Sequence, residues 1–164
     1  MKRFLPLVLF VALGTGFWKW RASHPTWNRE LANSPALTLY SLDPHRGMGN
    51  PNDERINRFR VLGKIVLRGP DRQKAFDAVN SAEHDDGLAD SCIFSPRVAI
   101  ETEDKQTRVV LCFSCGDAEA EIRGAKQKFF RIHTRGDEEG KTSENQLNAL
   151  LRRAHVPLAP LGFD

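Results

Sequence analysis

The sequence predicts an α+β fold: an antiparallel sheet of about five to six strands with two helices on one face, preceded by an N-terminal hydrophobic helix. Three observations carry this reading. Strand-like stretches follow one another across short turns, which is the order of hairpins. The two amphipathic helical stretches stand apart, one after the second strand and one near the end, so strands and helices do not alternate as in a doubly wound sheet. An uncharged apolar run, Phe4 to Trp18, follows directly on Met1-Lys2-Arg3.

That run has the form of an export signal or a signal anchor. Its 15 residues reach about 22 Å as a helix, against a hydrocarbon core of roughly 30 Å. Lys2, Arg3, Lys19 and Arg21 can snorkel, and Phe17, Trp18 and Trp20 suit the headgroup layer. Residues 1–22 are therefore expected to be a retained anchor. The N-terminal amine adds to the basic head and places the domain outside the cytoplasm. Cleavage to a secreted or periplasmic product is the alternative, although Ala12-x-Gly14 and Gly14-x-Gly16 are poor small-residue sites. The membrane is thus the partner that the first residues imply.

The chain has 24 Lys and Arg against 21 Asp and Glu. Setting aside Lys2, Arg3, Lys19 and Arg21 leaves 20 against 21, so the basic excess belongs to the head. No basic stripe with interleaved aromatics follows, which disfavours nucleic-acid binding.

Residues 23–35 read as a tether, and 36–164 as a single domain of ordinary size. Ala36–Leu42 alternates apolar and polar residues and predicts a strand. Residues 43–53 are rich in turn formers. Phe59–Arg68 predicts the next strand, in which Gly63 marks a bulge or a close approach of another backbone. Pro70 suits the first turn of a helix, with Ala75, Phe76 and Val79 at helical spacing, fading near Glu83 to Gly87. Residues 95–102 and 107–113 predict a hairpin across Glu103-Asp104-Lys105-Gln106. Residues 118–122 and 128–133 predict two short strands around Gly124. Residues 134–142 are polar, and 143–154 predict a helix capped by Ser143 with Leu147, Leu150 and Leu151 on one face. The helices are expected to bury Phe76, Val79, Leu147 and Leu151 against Ile65, Val98, Ile100, Val110 and Leu111.

Cys92, Cys112 and Cys115 are the three cysteines. Cys112-Phe-Ser-Cys115 follows a strand rather than opening a helix, unlike the thioredoxin-type arrangement. Residues three apart on a straight strand face opposite ways, so these two can bond only if the strand ends between them. With the hairpin turn centred between Asp104 and Lys105, Phe94 lies opposite Cys115 and Cys92 two residues further on the same face. That diagonal is about 7–8 Å, slightly long for a disulfide; a bend at Pro96 would close it. Three readings stand: apolar packing; a structural disulfide, with Cys92–Cys115 ahead of Cys112–Cys115; and a three-thiolate metal or redox site. Zinc in such a site would want a fourth ligand, for which His133 or His84 are the nearest thoughts.

Other chemistry is thin. Glu83, His84, Asp85 and Asp86 with Asp90 lack the register of a calcium loop and read as a solvated helix end. His24, His45, His84, His133 and His155 form no metal-binding pair spacing. Ser41, Ser95 and Ser114 lack nucleophile-elbow surroundings. Arg97 stands near the cysteine end of the hairpin, where it suits an anion or carboxylate, or pairs with Glu119 or Glu121.

Leu39-Tyr-Ser-Leu-Asp-Pro44, Phe59-Arg-Val-Leu-Gly-Lys64, Cys92-Ile-Phe-Ser-Pro-Arg97, Val110-Leu-Cys-Phe-Ser-Cys115 and Leu150-Leu-Arg-Arg-Ala-His-Val-Pro-Leu158 stand in that order. Together they resemble a family of small uncharacterised bacterial proteins with an N-terminal signal or anchor, over roughly residues 36–158. Its motif is a Cys-Phe-x-Pro-Arg-His-Gly segment followed by Cys-Phe-x-Cys. Here Ile93 precedes Phe94, and Val98 stands where that family has histidine, so no role for the histidine carries over. The resemblance implies one domain with its cysteines acting as a group, and no activity.

With no complete catalytic constellation, the expected function is a non-enzymatic binding or envelope-associated domain without a cofactor. The alternative is a thiol site of Cys92, Cys112 and Cys115, metal-binding (zinc) or redox. A third reading is a subunit of an envelope complex with a protein partner.

Overall fold

The computed structural model describes residues 26–45, 50–84 and 92–159. The expected hydrophobic helix at residues 1–22 lies outside them. Among the described residues no helix is long and apolar enough to cross a membrane.

The elements follow as α1 (Trp27–Asn33), β1 (Leu37–Asp43), β2 (Arg55–Ile56), β3 (Phe59–Leu67), α2 (Gly69–Ala82), β4 (Val98–Thr102), β5 (Thr107–Cys112), β6 (Asp117–Ile122), β7 (Ala125–Arg131) and α3 (Glu138–Arg153). Among the described residues seven strands form one antiparallel sheet in the order β2-β3-β1-β4-β5-β6-β7. The architecture is α+β, with a larger sheet and one more helix than expected.

Alternation along the strands sends two sets of side chains to opposite faces. Leu37 and Leu39 of β1, Val98 and Ile100 of β4, Val109 and Leu111 of β5, and Ala118, Ala120 and Ile122 of β6 meet the helices. Trp27 and Leu31 of α1, Val79 of α2, and Leu147, Leu150 and Leu151 of α3 close that core, with Ile65 and Phe76 packed against it. The opposite face holds a smaller cluster of Tyr40, Leu42, Ile56, Phe59, Ala99 and Val110. Val110 is thus placed opposite to expectation. Ile100 pairs with Val109, so Val109 faces the helices and Val110 turns away.

The stretch expected as a tether carries α1, whose Trp27 stacks on Phe130 with ring centroids 4.9 Å apart. Its last carbonyls, which a short helix leaves without partners, accept from the Arg72 guanidinium. Nε donates to Ser34 O at 2.9 Å and Nη2 to Leu31 O at 2.7 Å. Gly63 lies at an irregularity of the β1–β3 ladder, as expected, but what approaches it is a side chain and not another backbone. The β1–β3 register shifts between Ser41 and Leu42, and a Cβ on Gly63 would lie 2.8 Å from Val156 Cγ1.

Strand β7 starts earlier than expected, because Arg123 and Gly124 both adopt positive φ (52° and 75°) and close a two-residue hairpin between Ile122 and Ala125. Helix α3 also starts earlier, at Glu138, with Asp137 at the N-cap position. Ser143 is therefore not its cap; it sits buried inside the helix, its Oγ 3.3 Å from Ser81 Oγ of α2. Gly140 permits this start, since a Cβ there would fall 2.0 Å from Thr134 O.

Candidate functional site

The β4–β5 pairing joins Glu101 with Arg108 and Val98 with Leu111, the register of a turn centred between Asp104 and Lys105. Beyond Val98 the chain leaves the ladder, and residues 92–97 run as a strap without strand pairing. On the other arm, β5 ends at Cys112 and turns at once. Cys115 N–H and Gly116 N–H both donate to Cys112 O, at 3.1 and 2.9 Å. Gly116 adopts φ +68°, and a Cβ there would lie 2.8 Å from Thr134 Cγ2 and 3.0 Å from Ile132 O; both the turn and the crowding call for glycine.

The turn presents Cys115 to the strap. Cys92 and Cys115 form a disulfide with Cα atoms 5.7 Å apart. The diagonal of a regular ladder is longer, and the departure of the strap from the ladder shortens it. Cys112 is a free thiol, 1 % exposed. It lies under the strap: Ser95 N–H donates to its Sγ at 3.4 Å, and Ser114 Oγ lies 3.3 Å away. Phe94 packs edge-on to Phe59, centroids 6.1 Å apart, and so covers the smaller apolar cluster. The three cysteines are brought together, two of them bonded to each other. That bond removes two of the thiolates that a three-thiolate metal site requires.

Arg97, at the end of the strap, lines a cavity of about 270 Å³ with Glu144, Asn148 and Arg152 of α3 and with Leu158 and Ala159. Glu144 is held by Arg135, whose Nε donates to Oε2 at 2.6 Å. The two acids considered as partners of Arg97 are engaged elsewhere, Glu119 with Lys126 at 3.4 Å and Glu121 with Arg108 at 3.9 Å.

His84 and His133 stack with centroids 4.6 Å apart. His133 Nδ1 lies 3.8 Å from Asp137 Oδ2. Hydrogen bonds from Thr134 backbone and side chain hold the Asp137 carboxyl below the usual carboxylate range. Among the described residues no three His, Cys, Asp or Glu side chains converge as a metal site. Asp85, Asp86, Asp90 and His24 lie outside the described residues.

One constellation escaped the sequence reading. On the face away from the helices, Tyr40 donates its hydroxyl to Glu101 Oε2 at 2.6 Å. Arg108 donates Nε and Nη2 to Glu101 Oε1 at 3.0 and 2.5 Å. Glu101 is 1 % exposed, a burial that a carboxylate tolerates only when paired and hydrogen-bonded. Burial, and then donation to Glu101, push the Tyr40 hydroxyl well above the ordinary phenol range. The signal was present in the hairpin register, which sets Glu101 opposite Arg108.

Fold and site together define an α+β domain with a disulfide-tied strap across one end of its sheet. Comparison of the chain with models of protein families, with curated proteins and with solved structures returns no match.

Proposed function

We propose that this protein is an exported, membrane-tethered domain that works by binding at the cell envelope rather than by turnover, with the Cys92–Cys115 bridge bracing its strap. The bridge carries the proposal. A disulfide ending at the exposed Cys92 persists in oxidising compartments and is rare in the cytosol, which agrees with the basic-then-apolar head at Met1 to Trp18. Binding rather than catalysis is favoured because Tyr40, Glu101 and Arg108 satisfy one another in a buried network.

The test is fractionation of cells producing the full chain, followed by alkylation and peptide mapping without reductant. The expected result is a Cys92–Cys115 linked peptide in the carbonate-resistant membrane fraction. A shortened, bridged product free in the extracytoplasmic fraction would replace the tether by cleavage. Intact chain in the cytosol with three alkylated thiols would overturn the reading.

A further inference from the structure

The disulfide end of the hairpin holds more sulfur chemistry than bracing needs. Cys112 and Cys115 are positions i and i+3 of a hydrogen-bonded turn, with Cys115 N–H on Cys112 O at 3.1 Å. Such a turn keeps the two Cα atoms within about 7 Å, while a disulfide needs about 4.4–6.8 Å. Cys115 therefore has two partners in reach: Cys92, to which it is bonded, and Cys112, a free thiol. The Cys112 sulfur is no mere filler at the strand end, since the strap's own Ser95 N–H points at it.

We propose that Cys112 exchanges with the Cys92–Cys115 bridge, moving the bridge to Cys112–Cys115 and releasing the strap that carries Phe94. The Cys112 thiol loses its proton to solvent, and its sulfur attacks Cys115 Sγ. The Cys112–Cys115 bond forms as the Cys92–Cys115 bond breaks. Cys92 leaves as a thiolate and is reprotonated. One disulfide is exchanged for another, so no oxidant or reductant is consumed. Cys92 is the apt leaving group because it lies exposed on the strap. Once Cys92 is released, the strap has lost its covalent hold and is kept by non-covalent contacts, among them Phe94 on Phe59, Ser95 N–H on Cys112 Sγ and the hydrogen bond from Leu42 N–H to Arg97 O, 2.8 Å. Release would uncover the apolar cluster around Phe59 and Val110, giving the domain a closed and an open form. This inference rests on the sulfur geometry alone and is independent of where the domain is delivered.

The experiment uses purified full-length chain and follows Cys92 alkylation, with acid quenching and peptide mapping, at mildly alkaline pH and an external thiol near ~10 µM. An internal thiol acts at an effective concentration in the millimolar range, so Cys92 should be labelled about a hundredfold faster in the wild type than in Cys112→Ser. A Cys112–Cys115 linked peptide should appear in step with that labelling. Equal labelling in the two proteins, or labelling without that peptide, would overturn the proposal. A second arm oxidises Cys92→Ser with diamide: a Cys112–Cys115 bond is expected, with the far-ultraviolet circular dichroism of the fold unchanged. A folded Cys92→Ser chain that keeps two free thiols would also overturn it.

Discussion

On the helix side of the sheet, Leu31, Leu37, Leu39, Ile100, Leu111, Leu147 and Leu151 have no exposed surface. On the opposite side the apolar cluster is small, roofed by the single strap residue Phe94, and gives way along the sheet to Glu101, Arg108 and Glu121. Three helices supply enough apolar area to hold the first side without covalent help. A strap of a few residues cannot, and its hold includes a disulfide, an edge-on aromatic pair and the hydrogen bond from Leu42 N–H to Arg97 O. The sheet therefore has one face built for stability and one whose cover can change.

The largest effect is expected where the helix layer is removed from the sheet. Leu151→Ala deletes a fully buried side chain of α3 and should cost about 2–5 kcal/mol in denaturant unfolding with an unchanged m-value. A loss below about 1 kcal/mol would mean that α3 is not the main cover of that face.

The same contrast explains what was legible in advance. Strands β1 and β3, helix α2 and the β4–β5 register follow from local period and turn chemistry, and the register sets Cys92 and Cys115 on one face at a diagonal that only a departure from the ladder closes. The side of Val110 did not follow. Val109 and Val110 are both buried, and with both faces covered an apolar pair carries no sign of which residue faces the helices. Helix α1 was hidden for another reason. Seven residues with two apolar anchors, Trp27 and Leu31, are marginal alone, and it is Arg72, distant in sequence, that completes its carbonyls. The first turns of α3 were read as irregular because Glu-Glu-Gly-Lys-Thr has no apolar period. Gly140 is what lets the helix pass Thr134.

A smaller effect is expected on the strap side. Tyr40→Phe removes the hydroxyl that donates to Glu101 and leaves a buried carboxylate oxygen without that donor, at a cost of about 1.5–3 kcal/mol. Its pH signature separates this loss from packing. The folded-state pKa of Tyr40 is raised, so its contribution is complete below the unfolded value near ~10 and is lost as pH rises through the folded value. Urea midpoints at neutral and alkaline pH should fall in the wild type and fall less in Tyr40→Phe. Parallel curves would remove Tyr40 from that account.

The smallest effect concerns the charged end of β1, next to the apolar cluster of the strap side. Burial works against ionisation of Asp43. Hydrogen bonds from His45 N–H (3.1 Å), the His45 ring (2.9 Å) and Arg60 Nη2 (2.7 Å) outweigh it and hold the carboxyl below its ordinary range. A depressed folded-state pKa means stability that is present above the unfolded value of ~3.9 and lost as pH falls through the folded value. Acid titration of the wild type should therefore show stability falling below about pH 4, and Asp43→Asn should flatten part of that fall. The fall should not vanish, because Asp104, held by Thr102 and Gln106, and Asp137, held by Thr134, are depressed in the same sense and lose their hydrogen bonds in the same window. An Asp43→Asn curve that parallels the wild type throughout would place the acid sensitivity in those two turns and leave the β1 end indifferent to charge.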